Sequence, residues 1–238
     1  MKSSLLFILL LLSAGVVLYS SSCDLFLTTL FYDNTFYLKD KTFVKMIDVG
    51  CEYFIAALFL LILGIWCGRR LKLSFFTHPL FRFIDTKKLL FLGISFFGWC
   101  VAFPYSFKMF FHRARPYQTD LFGGECLFSK AFEKTFSCPV GDSFISGHTS
   151  FAMWLFALAL VMPERIRKFV TVFSLFVVFM VGASRVLGGY HYLTDVFFAV
   201  LLVGSGIFVT WKKCFTQNVP DIACQPVYGK EKNVCHQI

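Results

Sequence analysis

Residues 184–213 read SRVLGGYHYLTDVFFAVLLVGSGIFVTWKK. The second half, Val196 to Trp211, carries no charged side chain and closes on Lys212 and Lys213. An apolar run of roughly 17–25 residues crosses a bilayer as a helix, because lipid offers backbone polar groups no partner outside the helix. The first half places Ser184, Arg185, His191 and Asp195 where that helix begins. The stretch therefore predicts a membrane span over Leu193–Trp211 and a group of ionisable residues at the depth of one membrane face.

Five further runs read the same way. Leu5–Tyr19 is short and follows Lys2, and Cys51–Cys67 stops at Arg69 and Arg70. Leu89–Phe107 is entered from Lys87 and Lys88, and Phe151–Met162 ends at Pro163. Phe169–Val181 follows Arg165, Arg167 and Lys168. The expected fold is all-α: a polytopic membrane protein of about six transmembrane helices in a bundle. Residues 1–20 read as a first transmembrane helix or signal-like segment, 21–213 as the membrane domain with an outer loop 108–146, and 214–238 as a cytoplasmic tail.

Composition agrees. The 238 residues are 57% hydrophobic and 16% charged, with a mean hydropathy of +0.69, against about 45–50% apolar and 25% charged in soluble domains. The 33 Phe exclude disordered and low-complexity readings. A net charge of +9 would by itself suggest nucleic acid. With the N-terminus inside, however, 14 Lys and Arg fall on the inner side and nine on the outer. The excess is then a positive-inside topology signal, and no nucleic-acid partner is expected.

That topology brings three clusters to the outer face: Lys108 with Arg113, Arg115 and Pro116; Ser146-Gly147-His148; and Ser184-Arg185 with His191 and Asp195. Ionisable residues at membrane depth are functional candidates by default. Lys108, Arg115 and Arg185 supply the charge and donors that suit a phosphate dianion. His191 and Asp195, four apart, share a helix face. A carboxylate on one ring nitrogen leaves the other free to attack. His148 can protonate a leaving oxygen, and Ser146 with the Gly147 amide can bind a phosphate oxygen at a helix start. Arg113 reads either as a lipid headgroup contact or as a solvated loop charge. Cys126 and Cys138, twelve residues apart in the outer loop, are a candidate disulfide.

Lys108 followed by six residues and Arg115-Pro116, then Ser146-Gly147-His148, then Ser184-Arg185 with five residues to His191 and three to Asp195, resembles the type 2 phosphatidic acid phosphatase family. One departure is Ile145, where that family usually has Pro, a matter of loop rigidity and not of reacting groups. The resemblance implies a phosphohistidine at His191 oriented by Asp195, with His148 as acid and then base. It also implies that Lys108, Arg115, Ser146, Gly147, His148 and Arg185 surround the phosphate, with no cofactor and no metal. Phe122-Gly123-Gly124 and the Phe144–Ser150 stretch are similar to bacterial lipid A phosphatases within that family.

The function so implied is hydrolysis of a phosphomonoester or diphosphate on a lipid headgroup. Lipid A, at its 1- or 4′-phosphate, leads, at the periplasmic side of a bacterial inner membrane. Undecaprenyl diphosphate or phosphatidylglycerophosphate phosphatase, a lipid phosphotransferase, and a non-catalytic phospholipid-binding membrane protein are the alternatives. The expected partners are a phosphorylated lipid and the membrane; the sequence names no protein partner.

Overall fold

A backbone in lipid must bond within its own helix, so helices persist wherever the chain crosses and often beyond. The computed structural model describes residues 22–39, 41–73 and 85–215. In chain order these form α1 (Ser22–Thr29), a minimal antiparallel hairpin of β1 (Tyr32–Asp33) and β2 (Thr35–Phe36), and α2 (Thr42–Arg70). Then comes α3, which runs without a break through Thr86–Gly93, a π-wound Ile94–Ala102 and Phe103–Phe111. α4 (Gly147–Val161), α5 (Glu164–Leu187) and α6 (Leu193–Phe215) complete the bundle.

By length and apolarity, α2, α3, α5 and α6 can each cross a membrane, and α4 is a shorter apolar helix. The expected spans 51–67, 169–181 and 193–211 each lie inside a longer helix, and 89–107 lies inside α3. The span expected at Phe151–Met162 is instead the larger part of α4, which begins at Gly147. The run Leu5–Tyr19 lies outside the described residues. Of the expected tail 214–238, Cys214 and Phe215 belong to α6, and the rest lies outside the described residues. The long loop starts after Phe111, so Lys108 belongs to the last turn of α3 rather than to the loop.

α4 can be short because protein, not lipid, surrounds it. It packs against α2, α3, α5 and α6, and Ala152, Trp154, Ala157 and Ala159 are fully buried. The Trp154 indole N–H donates to the Leu92 carbonyl at 3.0 Å, which satisfies a polar atom that burial would otherwise leave costly. α5 divides along its length. Phe169, Val172, Phe176 and Phe179 are exposed, as a lipid-facing stripe requires, while Ser174, Val178, Val181 and Arg185 are buried.

At one end of the bundle, the loop between α3 and α4 is tied down at several points. A Cys126–Cys138 disulfide closes its middle. Ser143 N–H donates to the Arg113 carbonyl at 3.0 Å, and Ser146 N–H to the Asp195 carbonyl at 3.1 Å. The hairpin docks on the same end, with Phe36 buried against Phe122 and Tyr192. Gly189 has φ +69 and faces the Phe36 ring, where a Cβ would lie 2.5 Å from ring carbons, so no larger residue fits.

Candidate active site

Three helix ends meet where the loop is tied. Lys108 comes from the last turn of α3, Gly147 and His148 from the first turn of α4, and Arg185 from the last turn of α5. Gly147 has no side chain, and a Cβ there would sit 3.3 Å from Lys108 Nζ, so the ammonium lies against the start of α4. Helix starts attract anions, and Lys108 supports that preference. Arg115 grips Asp142 with two parallel bonds, Nε to Oδ1 at 2.6 Å and Nη2 to Oδ2 at 2.7 Å. Lys108 Nζ stands 3.9 Å from the same carboxylate. Two of the three cations expected to hold phosphate, Lys108 and Arg115, are thus already arranged around one anion contributed by the chain itself.

Arg185 is buried, with its guanidinium 4.1 Å from the Tyr190 ring centre. His148 Nε2 meets Glu52 Oε1 of α2 at 3.1 Å. Arg185, His191, Lys108 and Arg115 all act electrostatically on His148. Ser146 is the N-cap of α4: its Oγ lies 2.9 Å from Thr149 Oγ1 and accepts the Thr149 N–H. The hydroxyl expected to touch phosphate thus also caps α4.

His191 sits in the short turn before α6, fully buried. Its Nδ1 is 3.5 Å from Asp195 Oδ2 and 3.4 Å from Ser143 Oγ. Ser143 Oγ in turn donates to Asp195 Oδ2 at 2.5 Å. Because Ser143 spends its proton on the carboxylate, its oxygen is free to accept from Nδ1–H, which assigns the ring proton to Nδ1. Nε2 is buried, with no hydrogen-bond partner among the described residues. Burial pushes the His191 pKa down to about 4, working against the Asp195 carboxylate, which raises it. The neutral ring with an open Nε2 is the form a nucleophile needs.

Arg113 corrects both of its expected readings. It touches neither headgroup nor solvent: its side chain is wholly buried. Nη2 bonds Asp24 Oδ2 at 2.9 Å, Nη1 bonds Asp195 Oδ1 at 2.5 Å and Thr194 Oγ1 at 2.8 Å, and Nε bonds the Ser129 carbonyl at 2.9 Å. The Tyr192 ring lies 4.3 Å from the guanidinium carbon. An arginine can be dehydrated this far only because two carboxylates and a carbonyl replace water. Asp24, Glu52, Asp142 and Ser143 were not legible as site residues. The one available signal was an unassigned Arg113 two places before Arg115, a buried-pair candidate without a visible partner.

Chemically, the cluster can bind a phosphate and attack it with a neutral imidazole, and a second imidazole, His148, stands within electrostatic reach of the first. Among the described residues, no three His, Cys, Asp or Glu side chains gather as a metal site.

A family model described as the PAP2 superfamily matches residues 86–219, more than half of the chain. A lipid A 4′-phosphatase of Rhizobium leguminosarum is 35% identical over 105 residues, 44% of this chain and 45% of the relative. One from Rhizobium etli is 34% identical over 105 residues, 44% of this chain and 41% of the relative. A third, from Francisella tularensis subsp. novicida, is 31% identical over 140 residues, 54% and 60%. The matches therefore cover between about two fifths and three fifths of these relatives' own length. No solved structure matches the chain.

Proposed function

We propose that this chain, which belongs to the PAP2 superfamily, is a membrane phosphatase that removes the 4′-phosphate of lipid A through a phosphohistidine on His191. One observation carries the chemistry: a buried imidazole nitrogen, His191 Nε2, has no hydrogen-bond partner among the described residues, and Arg185 and Lys108 lie within electrostatic reach of its ring. The names of the three relatives support the choice of lipid and of the 4′-position. The positive-inside count supports a site on the outer face of a bacterial inner membrane.

In the first step Nε2 attacks phosphorus in line with the ester oxygen. The P–N bond forms as the P–O bond breaks, and His148 gives its proton to the departing sugar oxygen. Lys108, Arg115 and Arg185 neutralise charge on the equatorial oxygens, and the first turn of α4 adds its positive end. Asp195 and Ser143 hold the Nδ1 proton as the ring becomes cationic. In the second step water attacks the phosphohistidine while His148 takes its proton. The P–N bond breaks, inorganic phosphate leaves, and His191 returns to its neutral form.

Release of phosphate from lipid A in detergent micelles tests this reading. His191→Ala is expected to lower it by roughly a thousandfold or more. Wild-type turnover in that variant removes the nucleophile assignment. Equal or faster turnover of phosphatidylglycerophosphate or undecaprenyl diphosphate by the wild type removes the choice of lipid A and leaves the chemistry standing.

A further inference from the structure

Asp24 lies in α1, upstream of the residues that the family model covers. It is buried, and both of its oxygens are used. Oδ1 accepts the Thr194 N–H at 2.9 Å. Oδ2 accepts from Thr194 Oγ1 at 2.6 Å and from Arg113 Nη2 at 2.9 Å. Arg113 continues to Asp195 Oδ1, which leaves Asp195 Oδ2 to receive Ser143 Oγ, the Tyr192 N–H at 2.9 Å and the His191 ring. The chain of contacts from Asp24 to His191 passes only through residues that are at most 4% exposed.

We propose that Asp24 is a positioning residue for His191, acting through Arg113 and Asp195, so that the segment before the family-matched region is part of the working site. The inference rests on the reading of His191 as nucleophile. Its physical basis is the division of one guanidinium between two carboxylates. A lone arginine–carboxylate pair favours a bidentate grip. With Asp24 in place, Arg113 offers Asp195 one nitrogen and Asp24 another, so Asp195 turns only one oxygen to Arg113 and keeps Oδ2 aimed at Ser143 and Nδ1. Without Asp24, Arg113 draws both oxygens of Asp195 toward itself and Oδ2 leaves the ring. A wholly buried ion triad is also a weak device for stability alone, because apolar side chains of the same volume often serve as well. Its end point on the carboxylate beside His191 gives it another use.

The test compares the full chain carrying Asp24→Asn with Leu25→Ala, which loosens the packing of α1 against the Phe36, Phe122 and Tyr192 cluster and leaves the carboxylate in place. Wild type and His191→Ala run alongside, with lipid A in detergent as substrate and thermal unfolding of each variant recorded. Asp24→Asn is expected to lower kcat by about 10- to 100-fold, the cost of a misplacement near 1 Å, with KM within about threefold. Leu25→Ala should keep kcat within about threefold even where its thermal shift is as large. Equal kcat losses in the two variants at equal thermal shifts overturn the proposal, as does full kcat in Asp24→Asn. If Asp24→Asn does not yield folded protein, Asp24→Glu takes its place, keeping the charge but moving the carboxylate by one methylene relative to Arg113. A loss of kcat in that variant supports the proposal, and wild-type kcat overturns it. An inactive wild type defeats the functional reading itself. An active wild type with a dead His191→Ala and a full-rate Asp24→Asn defeats only this inference.

Discussion

Arg113 and Arg115 stand two residues apart and belong to opposite kinds of site. Arg113 is sealed, with each of its three nitrogens bonded to protein atoms, two of which are carboxylates from other parts of the chain. Arg115 retains 18% exposure at its side chain and holds one carboxylate, Asp142, which is itself 43% exposed. A substrate can replace Asp142 on Arg115, because water and anions reach the pair. Nothing can replace Asp24 or Asp195 on Arg113 without opening the core. The difference teaches that position in a motif does not decide whether a cation binds ligand or holds a frame; access to solvent does.

The sharpest way to break this comparison is to truncate both arginines. Arg113→Ala leaves Asp24 and Asp195 buried without their counter-charge and should cost about 3–5 kcal/mol of stability. Arg115→Ala removes an accessible pair, should move stability by no more than about 1 kcal/mol, and should lower kcat/KM by about 100-fold or more through lost phosphate stabilisation. Thermal unfolding in detergent, with phosphate release from the same preparations, separates the two. If Arg113→Ala is as stable as Arg115→Ala, the frame assignment fails.

The second test uses pH. His191 belongs to the sealed side, where burial lowers its pKa to about 4 even though Asp195 pulls the other way. A nucleophile acts when unprotonated, so its contribution should be intact at pH 5.5 and fall about tenfold per unit below roughly pH 4. Arg185 and Lys108, which also act on the ring, keep their charge over that range and cannot produce the limb. An acid limb near 6.5, the value of an unburied imidazole, that persists after the substrate phosphate's own ionisation at about 6 is divided out would show that the ring is not sealed.

The smallest effect is expected at Asp142, on the open side. Its carboxylate occupies Arg115 and approaches Lys108, so it competes with any incoming phosphate. Asp142→Asn should let inorganic phosphate inhibit at roughly 3- to 10-fold lower concentration, in keeping with an exposed pair worth about 1 kcal/mol. An unchanged inhibition constant would mean that the carboxylate and the phosphate do not share Arg115.

Much of the molecule was readable before any coordinates. The apolar runs matched the long helices because lipid enforces a minimum length. Lys108, Arg115, His148, Arg185, His191 and Asp195 were legible as a set because each adjoins the end of an apolar run, and a bundle brings alternate ends together. α4 was legible only in part, since a helix enclosed by others need not meet the bilayer's length. Arg113 was misread because its partners Asp24 and Asp195 lie 89 and 82 residues away, a relation no local spacing encodes.

The sequence by itself therefore determined the membrane class and the long helices, because these follow from hydropathy. Tertiary structure alone decided which arginine stays accessible and which is locked inside, that Ser146 caps a helix, that Ser143 stands between Asp195 and His191, and that α1 reaches the carboxylate beside His191 through Arg113. Those outcomes depend on what displaces water from each polar atom, and dehydration is a property of the packed chain rather than of any stretch within it.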